Sequence, residues 1–214
     1  MVDTSVGGLS PTINWGDLKH QEFLLPPKDQ QAQLAKLLWA MDEVIEREKE
    51  VLENMIVYQL SKQSSIFNNN SFLSSRILEV ATVKRGKFTP RPRNDPKYFR
   101  GDVPFIQTSE IVNSGKWILN HSQTLNSLGL SVSKMFKRET IVMTIAANIG
   151  FVGMLDYDSA FTDSLVGINA NADVLLQEYL YFYLNFKQRQ IESLATESAQ
   201  KNLSIDGFLS LIHI

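Results

Sequence analysis

The sequence predicts an α+β fold, in which a mixed α/β domain carries a long protruding helix of the coiled-coil type. Residues 30–63 contain no Gly or Pro and carry apolar side chains spaced mostly by three and four, which is the pattern of a long amphipathic helix. Beyond Arg76, short β-branched runs alternate with turn signals, which indicates strands. A second helical pattern, at residues 175–192, is spaced to pack on the resulting sheet.

Length and composition fit one globular domain with an appendage. The chain has 214 residues, of which 43% are hydrophobic and 21% charged, so it has room for one sizeable core. We expect a short N-terminal segment at residues 1–25, a long helix at residues 26–66 and a mixed domain at residues 76–214. Residues 64–75 are rich in Asn and Ser and are expected to form a linker, or a helix end followed by a turn.

Two stretches of the chain resemble each other. Residues 12–27 align with residues 202–214, so that Ile13 matches Leu203 and the apolar spacing is kept. The first copy continues through two prolines into the long helix, and the second stops where its own prolines would follow. We therefore expect the chain to be one period of a longer repeat.

The long helix is expected to begin just after Pro27, where a proline fits the first turn and Asp29 suits the positive end of the helix dipole. At about 1.5 Å per residue it would span roughly 50 Å, which exceeds what a domain of this size needs. It could lie on its own domain, but its length favours pairing with a second long helix. The apolar residues expected at that interface are Leu34, Leu37, Leu38, Met41, Val44, Ile45, Leu52 and Met55.

The mixed domain is expected to hold strands wherever β-branched or alternating runs are bounded by turn residues. These runs lie at residues 77–83, 103–106, 140–146, 151–155 and 165–169. The last helical pattern carries aromatic residues and leucines at core spacing, so we expect it to cover the sheet.

The sequence lacks the motifs that are typical of several classes of function. The chain has no Cys, which excludes disulfides and thiolate-bound zinc, and it has no stretch that would span a membrane or serve as a signal peptide. The cytoplasm is the expected compartment. No nucleotide-binding, zinc-protease or hydrolase motif occurs, and the three histidines are isolated, so we expect no catalytic residue and no metal site.

The acidic residues Asp156, Asp158 and Asp163 cluster in the sequence near a predicted turn. No basic residue or His stands beside them in the sequence, so we interpret them as turn residues and not as a site.

Positive charge is concentrated in the middle of the chain. Residues 84–138 hold eleven Lys or Arg against three acids, whereas the rest of the chain holds ten basic and twenty acidic residues. This block could be a solubilising surface or a patch that faces a polyanion. Residues 84–100 favour the polyanion, because seven cations are interleaved with aromatic residues and three prolines, which predicts a stiff, extended loop suited to a nucleic-acid groove.

Individual residues of this block suit particular contacts. An arginine can bind guanine with two hydrogen bonds, Asn94 can bind adenine, and the remaining cations can neutralise phosphates. Gln107-Thr108-Ser109 follows a predicted strand and offers further donors and acceptors, or else forms a capping turn before a short helix.

The chain resembles the specificity subunit of type I restriction-modification systems over nearly its whole length. The segment LLPPKDQQAQLAKLL at residues 24–38 is similar to the family's entry into its conserved spacer helix. The domain from Ile77 onward is similar to a target recognition domain. The motifs that carry this second similarity are Thr89-Pro90, GDVPFIQT at 101–108, Gly129-Leu130, Ser133-Lys134, TIAANIG at 144–150 and AQKNL at 199–203.

The resemblance implies a recognition subunit without catalysis. Family members carry two recognition domains that each read one half of a split DNA target, and two antiparallel helices set the gap between the halves. The subunit recruits an adenine methyltransferase subunit, which binds S-adenosylmethionine, and a restriction/translocase subunit, which uses ATP and Mg²⁺; no cofactor is expected in this chain. The residues expected to bind double-stranded DNA are Lys84, Arg85, Lys87, Thr89, Arg91, Arg93, Asn94, Lys97, Tyr98, Gln107, Thr108, Ser109, Lys134 and Asn148.

The chain departs from the family pattern because it holds one domain and one helix. Residues 1–25 look like the tail of a preceding recognition domain, so we expect a fragment, a truncated product or a natural half-subunit. An uncovered stripe on the long helix predicts self-association, and a symmetric dimer would read a palindromic split site. Two alternatives are a coiled-coil scaffold whose basic domain binds an acidic protein, and an enzyme with an unfamiliar site.

Overall fold

The computed structural model describes residues 15–68 and 75–196, together with the backbone of two short paired strands, β1 (Ser5–Val6) and β2 (Thr12–Ile13). The chain divides into two compact units, Met1–Tyr58 and Gln59–Ile214. The second copy of the predicted repeat, at residues 202–214, and the motif at residues 199–203 lie outside the described residues.

The first unit contains a short helix, α1 (Trp15–Leu18), and most of a 40-residue helix, α2 (Lys28–Phe67). The predicted long helix is confirmed. It begins directly after the two prolines, and the side chain of Gln31 donates to the carbonyl of Pro26 at 2.7 Å, which satisfies a carbonyl just before the first turn.

The surface of α2 is exposed, apart from Gln63 and Phe67 near its end, which are half-buried. None of its residues, all of which are described, is buried. The eight side chains predicted to form the interface are each between 49 and 65% exposed. Among the described residues, no helix is long and apolar enough to cross a membrane.

The helix continues into part of the predicted linker, because residues 64–67 are helical. The ring of Phe67, which belongs to the second unit, lies 5.5 Å from the ring of Tyr183 and 5.3 Å from that of Phe186. Aromatic packing therefore outweighs the low helix propensity of the two serines that precede Phe67.

In the described part of the second unit, the larger sheet has the strand order β3-β11-β8-β9-β5. Its central strands are short runs buried on both faces, and β5 and β9 are parallel while the other pairs are antiparallel. The strands are β3 (Ala81–Arg85), β5 (Trp117–Ile118), β8 (Ile141–Thr144), β9 (Val152–Leu155) and β11 (Leu165–Ala170).

The smaller sheet has the strand order β6-β4-β10-β7. Here β4 and β10 run parallel, and the other pairs are antiparallel. The strands are β4 (Phe99–Ile106), β6 (Gln123–Leu125), β7 (Met135–Phe136) and β10 (Ser159–Phe161). A cluster of Phe88, Phe105, Leu125 and Ala160 fills its core.

Helices flank the two sheets. The short ones are α3 (Ile77–Val80), α4 (Thr108–Val112) and α5 (Ser127–Ser131), with a 3₁₀ turn at Pro96–Tyr98. Two longer helices, α6 (Gln177–Phe186) and α7 (Gln188–Thr196), bury Leu180, Leu184 and Ile191 against the larger sheet. The α+β class predicted from the sequence is confirmed.

Three boundaries differ from the sequence prediction, and the first is that β4 begins at Phe99 and not at Val103. Residues 77–80 form a helical turn and not the start of a strand, because the carboxylate of Glu79 accepts a hydrogen bond from the backbone N–H of Arg76 at 3.1 Å and caps that turn. The predicted helix at 175–192 is two helices that break at Lys187. The buried positions Leu184 and Ile191 keep helical spacing across the break, so periodicity does not reveal it.

The chain passes between the two sheets at one common edge. The backbone N–H of Gly86 donates to the carbonyl of Leu165 at 2.9 Å, and that of Lys87 donates to the carbonyl of Phe161 at 3.1 Å. Gly86 is required there, because an added Cβ would lie 2.2 Å from the carbonyl oxygen of Thr162. These bonds bring residues 84–100 next to the connection between β10 and β11.

Candidate nucleic-acid interface

A polar cleft of about 350 Å³ lies at this edge. Five of the residues predicted to bind DNA line it: Arg93, Asn94, Gln107, Thr108 and Ser109. The structure therefore brings together two segments that the sequence analysis had considered separately. The other residues of the cleft wall are Phe88, Phe105, Gln123, Thr162 and Ser164.

The strand directions explain why these residues meet. Since β4 and β10 are parallel, their carboxyl ends reach the same edge, with Ile106 opposite Phe161. The antiparallel strand β6 begins at that edge, where Gln123 lies opposite Phe105. The side chains that follow or begin these strands must therefore converge, and polar residues occupy those positions.

An amide pair spans the cleft wall. The side-chain nitrogen of Gln107 donates to the side-chain oxygen of Gln123 at 2.8 Å. The carboxylate of Glu110 accepts from the backbone N–H of Gln107 at 3.1 Å and from that of Ser122, the neighbour of Gln123, at 3.1 Å. The predicted capping turn at residues 107–109 is thus real, and its side chains also line the cleft.

The carboxylate of Glu110 stays charged despite its partial burial. Burial alone would raise its pKa, but hydrogen bonds from the hydroxyls of Ser122 and Ser109 outweigh that effect, so the pKa of Glu110 is lowered. A charged Glu110 accepts hydrogen bonds more strongly, which fixes both segments that carry the amide pair.

Three arginines converge on Asp163 beside the cleft. The guanidinium of Arg93 donates to its carboxylate at 2.9 Å, and Arg85 donates to its backbone carbonyl at 2.6 Å. The guanidinium of Arg91 lies 3.9 Å from the same carboxylate and donates to the carbonyl of Pro90 at 2.8 Å. All three arginine side chains remain in contact with solvent, so their unused N–H groups are available to a ligand.

The basic loop is anchored to the domain and is not freely extended. Phe88 is 2% exposed, and its ring lies 5.0 Å from the ring of Phe105 and 6.0 Å from that of Tyr98. The carboxylate of Asp95 caps the 3₁₀ turn through the backbone N–H of Lys97. The aromatic residues thus point inward, and the loop presents its charged and amide side chains to solvent.

The other predicted residues lie around the cleft and not in its wall. Thr89 is exposed beside Phe88, whereas Lys97 and Tyr98 belong to the 3₁₀ turn, where Lys97 pairs with Asp95 at 2.9 Å. Lys84 is exposed on β3, and Lys87 is exposed next to Ser133, whose hydroxyl donates to the Lys87 carbonyl at 2.6 Å.

Two other residues that were predicted to bind DNA, Lys134 and Asn148, lie farther from the cleft. Lys134 follows Ser133 and places its ammonium 5.4 Å from the centre of the Phe136 ring. Asn148 is exposed in the loop between β8 and β9, at the same end of the larger sheet as the cleft. The nearby backbone N–H of Ile145 donates to the carbonyl of Ser164 at 3.0 Å, which ties that loop to the cleft wall.

Sequence reasoning missed Gln123, Thr162 and Ser164 in the cleft and misjudged the aspartates. Asp163 pairs with Arg93, Asp158 with Lys137 at 2.8 Å, and Asp156 with Arg138 at 3.2 Å. The expectation that these acids have no basic partner was wrong, because each partner is distant in sequence. The polar run that follows a buried strand was the available signal for residues 162–164.

Two further groups bear on catalysis and metals. No group of three or more His, Cys, Asp or Glu side chains that could hold a metal occurs within residues 15–68 and 75–196. His121, which was predicted to be isolated, has its Nδ1 3.0 Å from the hydroxyl of Tyr157. Burial, followed by the charge of Glu110, raises the pKa of Tyr157, so this hydroxyl stays protonated.

A family model and curated proteins match this chain. The model of the type I restriction modification DNA specificity domain matches residues 69–212. The putative type I restriction enzyme MjaX specificity subunit of Methanocaldococcus jannaschii is 25% identical over 202 residues, which cover 86% of this chain and 46% of that protein.

Solved structures share the fold. A chain of a type I R-M system, solved in work on complex assembly and conformational transition, matches with a TM-score of 0.60 at 19% identity, over 97% of this chain and 52% of its own. The HsdS subunit from Thermoanaerobacter tengcongensis matches with a TM-score of 0.58 at 15% identity, over 92% and 51%. The chain thus spans about half the length of the relatives it matches.

Proposed function

The chain belongs to the family of type I restriction-modification DNA specificity domains, as its sequence motifs predicted, and from this membership we propose that its second unit reads duplex DNA. In this proposal the chain is a recognition unit that performs no catalytic step. It presents one half of a split target to an adenine methyltransferase subunit and a restriction/translocase subunit. S-adenosylmethionine, ATP and Mg²⁺ belong to those partners.

The observation that carries the proposal is the convergence of Arg93, Asn94 and Gln107 on one cleft. Guanidinium and amide groups are the side chains that best match base edges in the major groove. Gln107 follows the end of β4, and the guanidinium of Arg93 is held by Asp163, so both side chains have fixed supports, which favour specific recognition.

Exposed cations beside the cleft suit the phosphate backbone. Lys84 and Lys87 are exposed, and within the described residues neither of them makes an ion pair. When unpaired basic side chains bind phosphates, condensed counterions are released from the DNA. This release contributes affinity that does not depend on the base sequence. The cleft would then specify the base sequence, and these cations would position the domain.

The long helix suits the role of a spacer. Its apolar stripe is exposed over many turns, and an exposed apolar patch of this kind marks a surface for interaction with a partner. We propose that a second copy of this helix covers it, so that two recognition units face two half-sites. The same helix would then offer its remaining surface to the methyltransferase subunit.

The test is binding of the full chain to a labelled duplex pool at several salt concentrations. The variant Lys87→Glu should lower affinity and reduce the slope of log affinity against log salt by about one. Arg189→Glu is the matched control, because it reverses an exposed charge on α7. If the wild-type chain binds no duplex in preference to an acidic protein competitor, the proposal fails and a scaffold that binds acidic proteins is favoured.

A further inference from the structure

The amide pair leaves two polar groups unused on the cleft side. Its single hydrogen bond runs from the Nε2 of Gln107 to the Oε1 of Gln123. The Oε1 of Gln107 and the Nε2 of Gln123 take no part in that bond. Gln107 is half-buried and Gln123 is exposed, so a ligand in the cleft can reach both groups. The pair therefore offers one acceptor and one donor on two amides that are bonded to each other.

The backbones beneath this pair are fixed. One carboxylate, that of Glu110, accepts from the N–H of Gln107 and from the N–H of Ser122, the neighbour of Gln123. Gln123 also lies in register with Phe105, which is 2% exposed. Because the amides are already bonded to each other, little side-chain entropy remains to be lost when a ligand binds.

An adjacent donor and acceptor select among base edges. Adenine presents the N7 acceptor beside the N6 donor in the major groove, which complements such a pair. Guanine presents two acceptors, cytosine presents one donor, and thymine presents one acceptor with a methyl group. The pair is uncharged, so it lacks the charge-assisted attraction to phosphate that Arg and Lys have.

We propose that Gln107 and Gln123 act as one unit that reads a single adenine in the half-site. This inference rests on the proposed function, because it requires the cleft to face the major groove. Beyond that function, the inference names the two residues that determine which base is preferred at one base pair. Asn94 also lines the cleft but is not bonded to this pair, and the inference does not depend on it.

The test begins with selection of binding sequences from a duplex pool with a randomised stretch, using the full chain. The same selection is performed with Gln107→Leu and Gln123→Leu, which keep a similar volume but remove one amide each. Gln190→Leu is the matched control, since Gln190 is exposed on α7. The backbone bonds to Glu110 do not involve the side chain of Gln107, so the capping turn should persist in Gln107→Leu.

The second step tests the atom on the base. A labelled duplex of the recovered sequence is compared with one in which the selected adenine is replaced by 7-deazaadenine, which lacks the N7 acceptor. The wild type should bind the modified duplex roughly tenfold more weakly, and both leucine variants should bind the two duplexes equally. A purely structural role for the amide pair would change thermal stability but not this ratio.

The outcomes distinguish failure of the amide-pair inference from failure of the proposal that the chain reads DNA. Loss of the preference for adenine at the same single position in both variants supports the inference. A motif that both variants recover unchanged overturns the inference and leaves DNA reading in place. If the wild-type chain recovers no motif, DNA reading itself is overturned, and the role of the amide pair falls with it.

Discussion

The guanidinium of Arg93 lies 2.8 Å from one carboxylate oxygen of Asp163 and 2.9 Å from the other, although the residues are 70 positions apart. Asp163 lies where the chain leaves the smaller sheet for the larger one. This ion pair therefore holds the basic loop over the connection between the sheets and orients an arginine at the wall of the cleft. The carboxylate fixes the guanidinium while leaving part of its donor set free.

Asp163→Asn should raise the affinity for random duplex and lower the preference among duplex sequences. Removing the carboxylate adds one positive charge next to the proposed DNA surface, so binding to random duplex should strengthen by a few-fold and become more sensitive to salt. Preference among sequences should fall, because Arg93 is no longer oriented. Stability should change by less than about 1 kcal/mol, since the pair is partly exposed. Salt titrations with random and selected duplexes measure both effects.

Asp158→Asn is the matched control for this experiment. Asp158 also pairs with a cation, Lys137, but it precedes the amino end of β10, whereas the cleft lies at its carboxyl end. Duplex binding by this variant should stay close to that of the wild type. Equal effects of the two substitutions would indicate that only net charge matters and would contradict the assigned role of Asp163.

Glu110→Gln should lower the melting temperature in a manner that depends on pH. The folded-state pKa of Glu110 lies below its ordinary value of about 4.3, so the charged carboxylate stabilises the fold at higher pH. This contribution is lost as pH falls through the folded-state pKa. The wild type should therefore melt higher than the variant near pH 7, and the difference should narrow below about pH 4. Melting curves across this range check the sign; a gap that widens in acid contradicts it.

The exposed stripe of α2 should drive self-association. Met41→Glu combined with Ile45→Lys places a favourable pair one turn apart, so the helix should remain formed while the apolar contact is lost. The dissociation constant of the dimer should rise by about a hundredfold or more. Sedimentation velocity over a concentration series measures this.

The control for self-association is the double variant Glu43→Ala with Arg47→Ala. This exposed ion pair lies on the solvated face of the same helix, and its removal should leave the dimer unchanged. If the stripe variant associates as strongly as the wild type, the helix does not mediate self-association.

Gly86→Ala should destabilise the second unit by roughly 1–3 kcal/mol. A methyl group there would collide with the carbonyl of Thr162 and with Phe161, so the connection between the sheets must shift. Gly115→Ala is the matched control, because nothing lies within 4 Å of its added Cβ. Urea unfolding of both variants gives the comparison; equal stabilities would show that the approach of Gly86 to Thr162 is not tight.

Repeating patterns in the sequence predicted the long helix and several strands. The periodic stripe predicted α2, and the β-branched runs predicted β8, β9 and β11, whose residues are largely buried. Strands of two or three residues, such as β5 and β10, are too short to show a period, and sequence analysis missed them.

The sequence predicted some residues of the cleft, but it did not predict the bonds that they make with distant residues. Gln107 follows a predicted strand and Arg93 lies in the basic loop, so each could be identified from its local sequence. The bonds of Gln107 to Gln123 and of Arg93 to Asp163 join distant positions, which local patterns do not encode. An aromatic residue in a basic loop suits both base stacking and core packing, and only the fold showed that Phe88 packs in the core.

The most direct measurement of whether this cleft meets DNA is site-specific photo-crosslinking. A photoreactive side chain is placed at Asn94 in the cleft wall and, as a control, at Glu192, which is exposed on α7. The account predicts a crosslink from position 94 to a labelled duplex, mapped to one half-site, and none from position 192. A chain that binds duplex but crosslinks only from position 192, or equally from both, would contradict it.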